Sequence, residues 1–112
     1  MKEIRIDQKP LSINEAWQGK RFKTSKYKRY ERDLLLQLPK KITIPKMISI
    51  HFHFGFSNKL SDIDNPVKPL LDILQKKYGF NDSQVYELQV TKTITEKGKD
   101  FIRIWIDSVI PF

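Results

Sequence analysis

The 112-residue sequence contains no cysteine. That excludes a disulfide framework, a thiolate zinc site and a cysteine nucleophile, so any metal must be held by oxygen or imidazole ligands. Long apolar runs are also missing: the uninterrupted stretches are a few residues each, far below the roughly 18 to 20 that span a bilayer. Met1-Lys2-Glu3 does not open like a signal peptide. The expectation is a cytoplasmic chain with no membrane contact. Glycine is scarce, with four residues, and no G-x-x-x-x-G-K-[ST] stretch occurs, which excludes an ATPase and a nucleotide cofactor on motif grounds. Acid is in short supply as well: 13 Asp and Glu stand against 21 Lys and Arg, for a formal net charge of +8. Such an excess in a small protein points to a polyanionic partner, because each Lys or Arg near a phosphate releases condensed counterions. The length sets a ceiling of one domain, residues 1–112, burying about two-thirds of its unfolded surface.

What is present is short-period patterning. Ile4 and Ile6 alternate with Arg5 and Asp7, predicting a strand over Glu3 to Lys9 that Pro10 stops. Leu11 to Phe22 has no sustained period and reads as a loop, with Trp17 as its anchor. Tyr27, Tyr30, Leu34 and Leu38 recur at three and four, predicting a helix from Ser25 to Leu38 that Pro39 ends. Lys46 to Phe56 alternates through Ile48, Ile50, Phe52, Phe54 and Phe56, the clearest strand in the chain. Asp64-Asn65-Pro66 reads as a helix start, with Asp64 or Asn65 as cap, and the stripe Val67, Leu70, Leu71, Leu74, Tyr78 runs to a stop at Gly79. Val85 to Thr95 and Asp100 to Asp107 alternate on either side of Glu96-Lys97-Gly98-Lys99 and read as a hairpin. The order β-α-β-α-β-β predicts an α/β (α+β) single domain: a mixed sheet with two helices packed on it, rather than a doubly wound parallel fold.

The scarce acids carry the most information. Asp62 and Asp64 are two apart, so on an extended backbone both side chains leave the same face. Like charges gathered at a strand-to-helix junction repel unless a cation lies between them, and a hard cation such as Mg²⁺ takes oxygen ligands of this kind. Asp64, Lys68 and Asp72 follow at i, i+4 and i+8, a row flanking the apolar stripe, and Asp82 lies in the turn after the helix. Each has an ordinary structural reading too: Asp64 as a cap, Asp72 as the ion-pair partner of Lys68 or Lys76, and Asp82 as a turn former.

The cations are concentrated elsewhere. Lys20, Arg21, Lys23, Lys26, Lys28, Arg29 and Arg32 place seven within thirteen residues, offset inside the run only by Glu31, which predicts contact with phosphates. Tyr27 and Tyr30, interleaved with them, fit the core stripe better than a base-stacking role. His51 and His53 share one face of the central strand but lack a third ligand, so they read as residues of the sheet's polar face. Trp17 and Trp105 read as core or interface anchors.

Three strings taken together, Asp62-Ile63-Asp64-Asn65-Pro66-Val67-Lys68, then Leu71-Asp72-Ile73-Leu74, then Asn81-Asp82-Ser83-Gln84-Val85, resemble the signature of the RusA family of Holliday-junction resolvases of bacteria and their phages. The family pattern is D-x-D-N-x-x-K, a helix containing D-x-L, and D-D-x-Q-[VI]. Weaker matches in the Pro10-Leu11-Ser12-Ile13-Asn14 loop and the expected final hairpin extend the resemblance over nearly the whole chain. Two departures stand out: Asn81 replaces the first acid of the D-D pair, and the basic run before Asp62 is thinned to Asn58-Lys59-Leu60.

The resemblance implies metal-binding carboxylates at Asp62, Asp64 and Asp82, an essential Lys68, and Mg²⁺, or Mn²⁺ in its place, as cofactor. It implies hydrolysis of phosphodiesters in branched DNA, especially four-way junctions, for recombination and repair in a bacterial or phage-infected cell. Lys68 would stabilise developing charge or orient the attacking water; an ammonium among carboxylates stays protonated and favours the first role. A two-fold symmetric junction cut twice by a chain with one such site implies a homodimer, with apolar surface available on the strands and at Val109-Ile110-Pro111-Phe112. A non-catalytic DNA-binding module or regulator of the same fold is the competing reading, and a small RNase or RNA-binding protein a third.

Overall fold

The computed structural model describes residues 3–18 and 22–109, which form one α+β unit with a four-stranded mixed sheet. In chain order the elements are β1 (Ile4–Ile6), α1 (Ile13–Ala16), β2 (Trp17–Gln18), β3 (Phe22–Lys23), α2 (Ser25–Gln37), β4 (Ile48–Phe56), α3 (Val67–Tyr78), a 3-10 turn (Asp82–Gln84), β5 (Val85–Ile94) and β6 (Phe101–Ser108). The strand order is β1-β6-β4-β5. β4 runs parallel to β5 and antiparallel to β6, and β6 runs antiparallel to β1.

The alternation in β4 does what its period requires. Ile48, Ile50, Phe52, Phe54 and Phe56 are buried on one face together with Ile102, Ile104 and Ile106 of β6 and Ile4 and Ile6 of β1. Tyr27, Tyr30 and Leu34 of α2 and Leu70, Ile73 and Leu74 of α3 close that face as a second layer. Thr24 caps α2 by accepting from the Tyr27 amide, and its hydroxyl donates to the Glu15 carbonyl at 2.6 Å, tying α1 to α2. Gly79, at φ 74°, ends α3 in the left-handed conformation that glycine adopts without a Cβ penalty. Gly55 has a different reason. It faces Phe101 across the β4–β6 ladder, and a Cβ there would lie 2.2 Å from the Phe101 ring.

Four sequence expectations are corrected. β5 and β6 do not form a hairpin, because β4 lies between them. The physical reason is composition: β4 and β6 bury alternate residues and need neighbours, whereas β5, with Glu87, Gln89 and Lys92, is largely exposed and tolerates an edge. The Leu11 to Phe22 stretch is not wholly loop but carries α1 and the short β2–β3 ladder, with Trp17 packed against Tyr27 at 5.9 Å. Among the described residues there are thus three α-helices rather than two. Neither Asp64 nor Asn65 caps α3: its N-cap is Pro66, without a side-chain bond, and the Asp64 carbonyl instead accepts from the Val67 amide at 3.1 Å. Lys20, Arg21 and the segment Ile110 to Phe112 lie outside the described residues.

Candidate active site and nucleic-acid interface

The loop between β4 and α3 carries Asp62 and Asp64, both exposed. Its shape is set by polar bonds rather than by packing. Asn58 accepts from the Leu60 amide at 2.9 Å, and Lys92 of β5 donates to the Ser61 carbonyl at 2.8 Å. Asn65 works from both ends: its side chain donates to Asp62 at 3.2 Å, while its carbonyl accepts from the Ile13 amide at 2.8 Å and joins the loop to α1. A cavity of about 240 Å³ opens beside Asp62, bordered by Lys9, Ser12, Asn58 and Asp100.

Lys68 and Asp72 lie one turn apart on α3 and pair at 2.8 Å. The hydrogen bond that Lys68 donates to Asp72 raises the Lys68 pKa; burial works against it, and the charges of Asp72 and Asp82 add to it. Lys68 therefore remains an ammonium at neutral pH. Asp82 sits at the other end of the helix, in the 3-10 turn, where its amide donates to the Gln75 side chain at 2.9 Å. Asn81 caps that turn, accepting from the Ser83 amide while the Gln84 side chain accepts from the Asn81 amide at 3.0 Å. The residue that departs from the expected D-D pair thus has a structural task of its own.

The arrangement brings Asp62 close to Asn65 and Lys68 close to Asp72, with Asp82 near enough to act on Lys68. It does not gather Asp62, Asp64 and Asp82 into one cage: among the described residues no three His, Asp or Glu side chains are grouped to hold a metal. The donor chemistry still suits Mg²⁺, which keeps several waters and takes one or two carboxylates alongside substrate phosphates. An exposed Asp62 and Asp64 meet that requirement; a dedicated three-carboxylate cage is not present.

The basic run is more neutralised than its sequence suggests. Lys23 pairs with Glu31 at 3.2 Å, Lys26 pairs with Glu15, and Arg32 pairs with Asp33 at 3.4 Å. Glu31 also receives Lys76 of α3 at 2.9 Å; burial raises its pKa, but hydrogen bonds from Lys76 and Lys23 outweigh it and lower the carboxyl overall. Lys28 and Arg29 form no ion pair among the described residues. Tyr27 and Tyr30 are buried, as a core stripe requires.

His51 and His53 face the side of the sheet without helices. Thr91 bonds both rings, at 2.9 and 2.5 Å, and Thr93 bonds His53 at 2.7 Å. His51 stacks on Trp105 at 4.8 Å, His53 on Phe101 at 5.7 Å, and Arg103 and Arg5 cover the same two aromatic rings. These histidines are held by hydroxyls and rings, not set as ligands.

The model of the family Endodeoxyribonuclease RusA matches residues 10–105. The chain belongs to the RusA endodeoxyribonuclease family. A comparison with curated proteins finds no match. Membership supports a nuclease hydrolase and agrees with the single α+β unit. The match to the RusA model takes in the loop of Asp62 and Asp64, all of α3 and the Asp82 turn, as well as α2. Within this RusA-family chain, sequence reasoning missed Lys9, Gln75 and Lys92, whose roles depend on contacts across the fold and leave no local spacing to detect. No helix among the described residues is long and apolar enough to cross a membrane.

Proposed function

We propose that the chain cleaves four-way DNA junctions, hydrolysing phosphodiesters in a metal-dependent reaction that resolves recombination and repair intermediates inside a bacterial or phage-infected cell. The observation that carries this reading is the D-x-D-N-x-x-K string at the head of α3. Both its acids are exposed, Asp62 beside a cavity, and its lysine is held as an ammonium, in a chain matched to the RusA endodeoxyribonuclease family over most of its length.

Asp62 and Asp64, with Asp82 as the third carboxylate of the pattern, would hold Mg²⁺, or Mn²⁺ in its place. That ion supplies polarisation of the phosphate and acidification of a bound water. Asn65 orients Asp62 through its side-chain amide. Lys68 stabilises negative charge on the phosphate or leaving oxygen, since a lysine whose pKa is raised makes a poor base. Asp72 holds Lys68 in place until a phosphate oxygen competes for it. The cations around α2, with Lys28 and Arg29 the least neutralised of those described, receive the arms of the duplex.

A homodimer would present two such sites to a two-fold substrate. The outer edge of β5 supports it: this strand ends the sheet, and Tyr86, Leu88 and Ile94 on it are exposed. The test is incubation with a synthetic four-way junction with and without Mg²⁺. Paired symmetric nicks only when the metal is present, from a species of twice the monomer mass in sedimentation, are expected. Tight junction binding without any cleavage under either condition would leave a DNA-binding module instead.

A further inference from the structure

A second cavity, of about 280 Å³, lies between the loop after β1 and the face of α2 that carries Lys26, Arg29, Tyr30 and Asp33. It shares Lys9, Pro10 and Glu15 with the cavity beside Asp62. In its wall is the side chain of Tyr30, 4% exposed, whose hydroxyl lies near the Leu11 amide but is the one buried side-chain polar atom among the described residues with no bond of full hydrogen-bond geometry, so its proton has no acceptor. A buried hydroxyl left unsatisfied costs about 1 to 3 kcal/mol, so a fold that keeps one needs a reason. Burial raises the pKa of the phenol, and the Leu11 amide, facing the oxygen, lowers it only in part. The group is therefore a protonated donor at neutral pH, and what it lacks is an acceptor.

The charges around it select the acceptor. Glu15 is taken up by Lys26 and Asp33 by Arg32. Arg29 forms no ion pair among the described residues; Lys9 forms none either, although it lies close enough to Glu15 to help lower that carboxyl. Two cations without ion pairs and a donor without an acceptor converge on one cavity, which describes a receptor for a tetrahedral oxyanion.

We infer that this cavity is a phosphate-binding subsite, in which Arg29 and Lys9 hold a backbone phosphate of the DNA strand and the Tyr30 hydroxyl donates to it. The inference rests on the junction-cleaving reading for the identity of the strand, but not for the chemistry of the anion. Because the two cavities share Lys9 and Pro10, a strand seated in the subsite is led towards Asp62. Tyr30 is buried while Lys9, Lys26 and Arg29 of the same lining are exposed, so seating the phosphate on the hydroxyl requires these exposed side chains to move.

Two probes test it. Inorganic phosphate is titrated into the full chain and followed by nuclear magnetic resonance at the Leu11 amide and the Arg29 guanidinium, in the wild type and in Tyr30→Phe, Arg29→Gln and Lys9→Gln. Tyr30→Phe removes one oxygen and keeps the ring in the core. A saturable shift at both positions is expected, weakened about tenfold by Tyr30→Phe, the worth of one hydrogen bond to a charged group, and more by Arg29→Gln. Duplex DNA is the second probe. Tyr30→Phe should weaken it with no change in salt dependence, while Arg29→Gln should reduce the slope of log K against log[salt] by about 0.9.

Absence of a saturable shift, or a shift indifferent to both Tyr30→Phe and Arg29→Gln, overturns the inference and leaves water as the partner of the hydroxyl. Phosphate binding that obeys these variants while duplex DNA ignores them would make the cavity a site for free phosphate and overturn the DNA assignment. Junction cleavage is scored apart: a chain that binds phosphate here but never cuts would defeat the nuclease reading alone.

Discussion

Glu31 and Asp62 are both acids of a strongly basic chain, and the fold treats them in opposite ways. Glu31 is mostly buried and holds two lysines, Lys23 of β3 and Lys76 of α3. Asp62, Asp64 and Asp82 are exposed and form no ion pair among the described residues, although lysine is plentiful. Ion pairs therefore gather on the surface around α2, where they separate like charges and fix elements to each other, and are missing from the acids of the loop before α3 and of the turn after it. A region whose only purpose was stability would pair its carboxylates first. Among the described residues Asp62 is met only by the Asn65 side-chain amide, and no lysine or arginine pairs with any of the three.

The largest effect that could break this contrast is on turnover. Lys68→Ala, Asp64→Asn and Asp82→Asn should each cost about a hundredfold or more in junction cleavage while leaving the fold and junction affinity in place. Binding by the two Asp variants should tighten slightly as a negative charge leaves. For Asp82, loss of cleavage only in proportion to lost folded protein, measured by circular dichroism alongside activity, would return it to the role of a turn residue.

A smaller effect sharpens the other side of the contrast. The double variant Lys28→Gln, Arg29→Gln removes two cations without ion pairs and should flatten the salt dependence of duplex binding by about two units of slope. Lys23→Gln with Lys76→Gln removes two cations that Glu31 already neutralises, and should change the slope less. Equal changes in fluorescence anisotropy titrations would mean that the ion pairs at Glu31 do not screen these lysines from DNA.

Glu31→Gln should destabilise the chain by about 1 kcal/mol in denaturant titration, because its lysines lose a partly buried partner. The sign with pH follows from the carboxyl being lowered below its ordinary value of 4.5. Its contribution is complete above that value and is lost as the pH falls through the lower, folded value, so the stability gap between wild type and Glu31→Gln should close in acid.

The smallest effect concerns the open face of the sheet. Burial lowers the His53 pKa, and the charges of Arg103 and His51 lower it further, against a small opposing pull from Glu3. Folding thus disfavours its protonation, and stability should decline as the pH drops below the ordinary histidine value of 6.5, a trend that His53→Gln would remove.

Local periodicity made β4, α2 and α3 legible, because the residues that define each element are neighbours in sequence and their core faces recur at two, or at three and four. The acid string could be read for the same reason. Strand adjacency could not: Val85 to Thr95 and Asp100 to Asp107 look like a hairpin unless one knows that Phe52 and Phe54 need partners on both sides, and the 96–100 loop carries no mark of passing over β4. Lys26 meeting Glu15, eleven residues earlier, was hidden in the same way, which is why the basic run looked less neutralised than it is. The capping of α3 was misjudged because Asp64 and Asn65 have suitable side chains, yet Asn65 is drawn to Asp62 and Ile13 instead. An orphaned hydroxyl at Tyr30 has no sequence signature at all, since any tyrosine in a core stripe looks the same.

The position of β6 has a consequence for how the protein is made. It lies between β1 and β4 and is their shared neighbour, with Ile4 opposite Ile104 and Phe52 opposite Ile104 from the other side. On the ribosome, the first strand and the central strand emerge long before the one that joins them, so the sheet cannot close until residues 101–108 have left the exit tunnel. The acids at the head of α3 are synthesised some forty residues earlier, on a scaffold that is still open. A nascent or truncated chain thus carries the acids of the Asp62 loop without the completed sheet beside them, and their final placement arrives only with the finished fold.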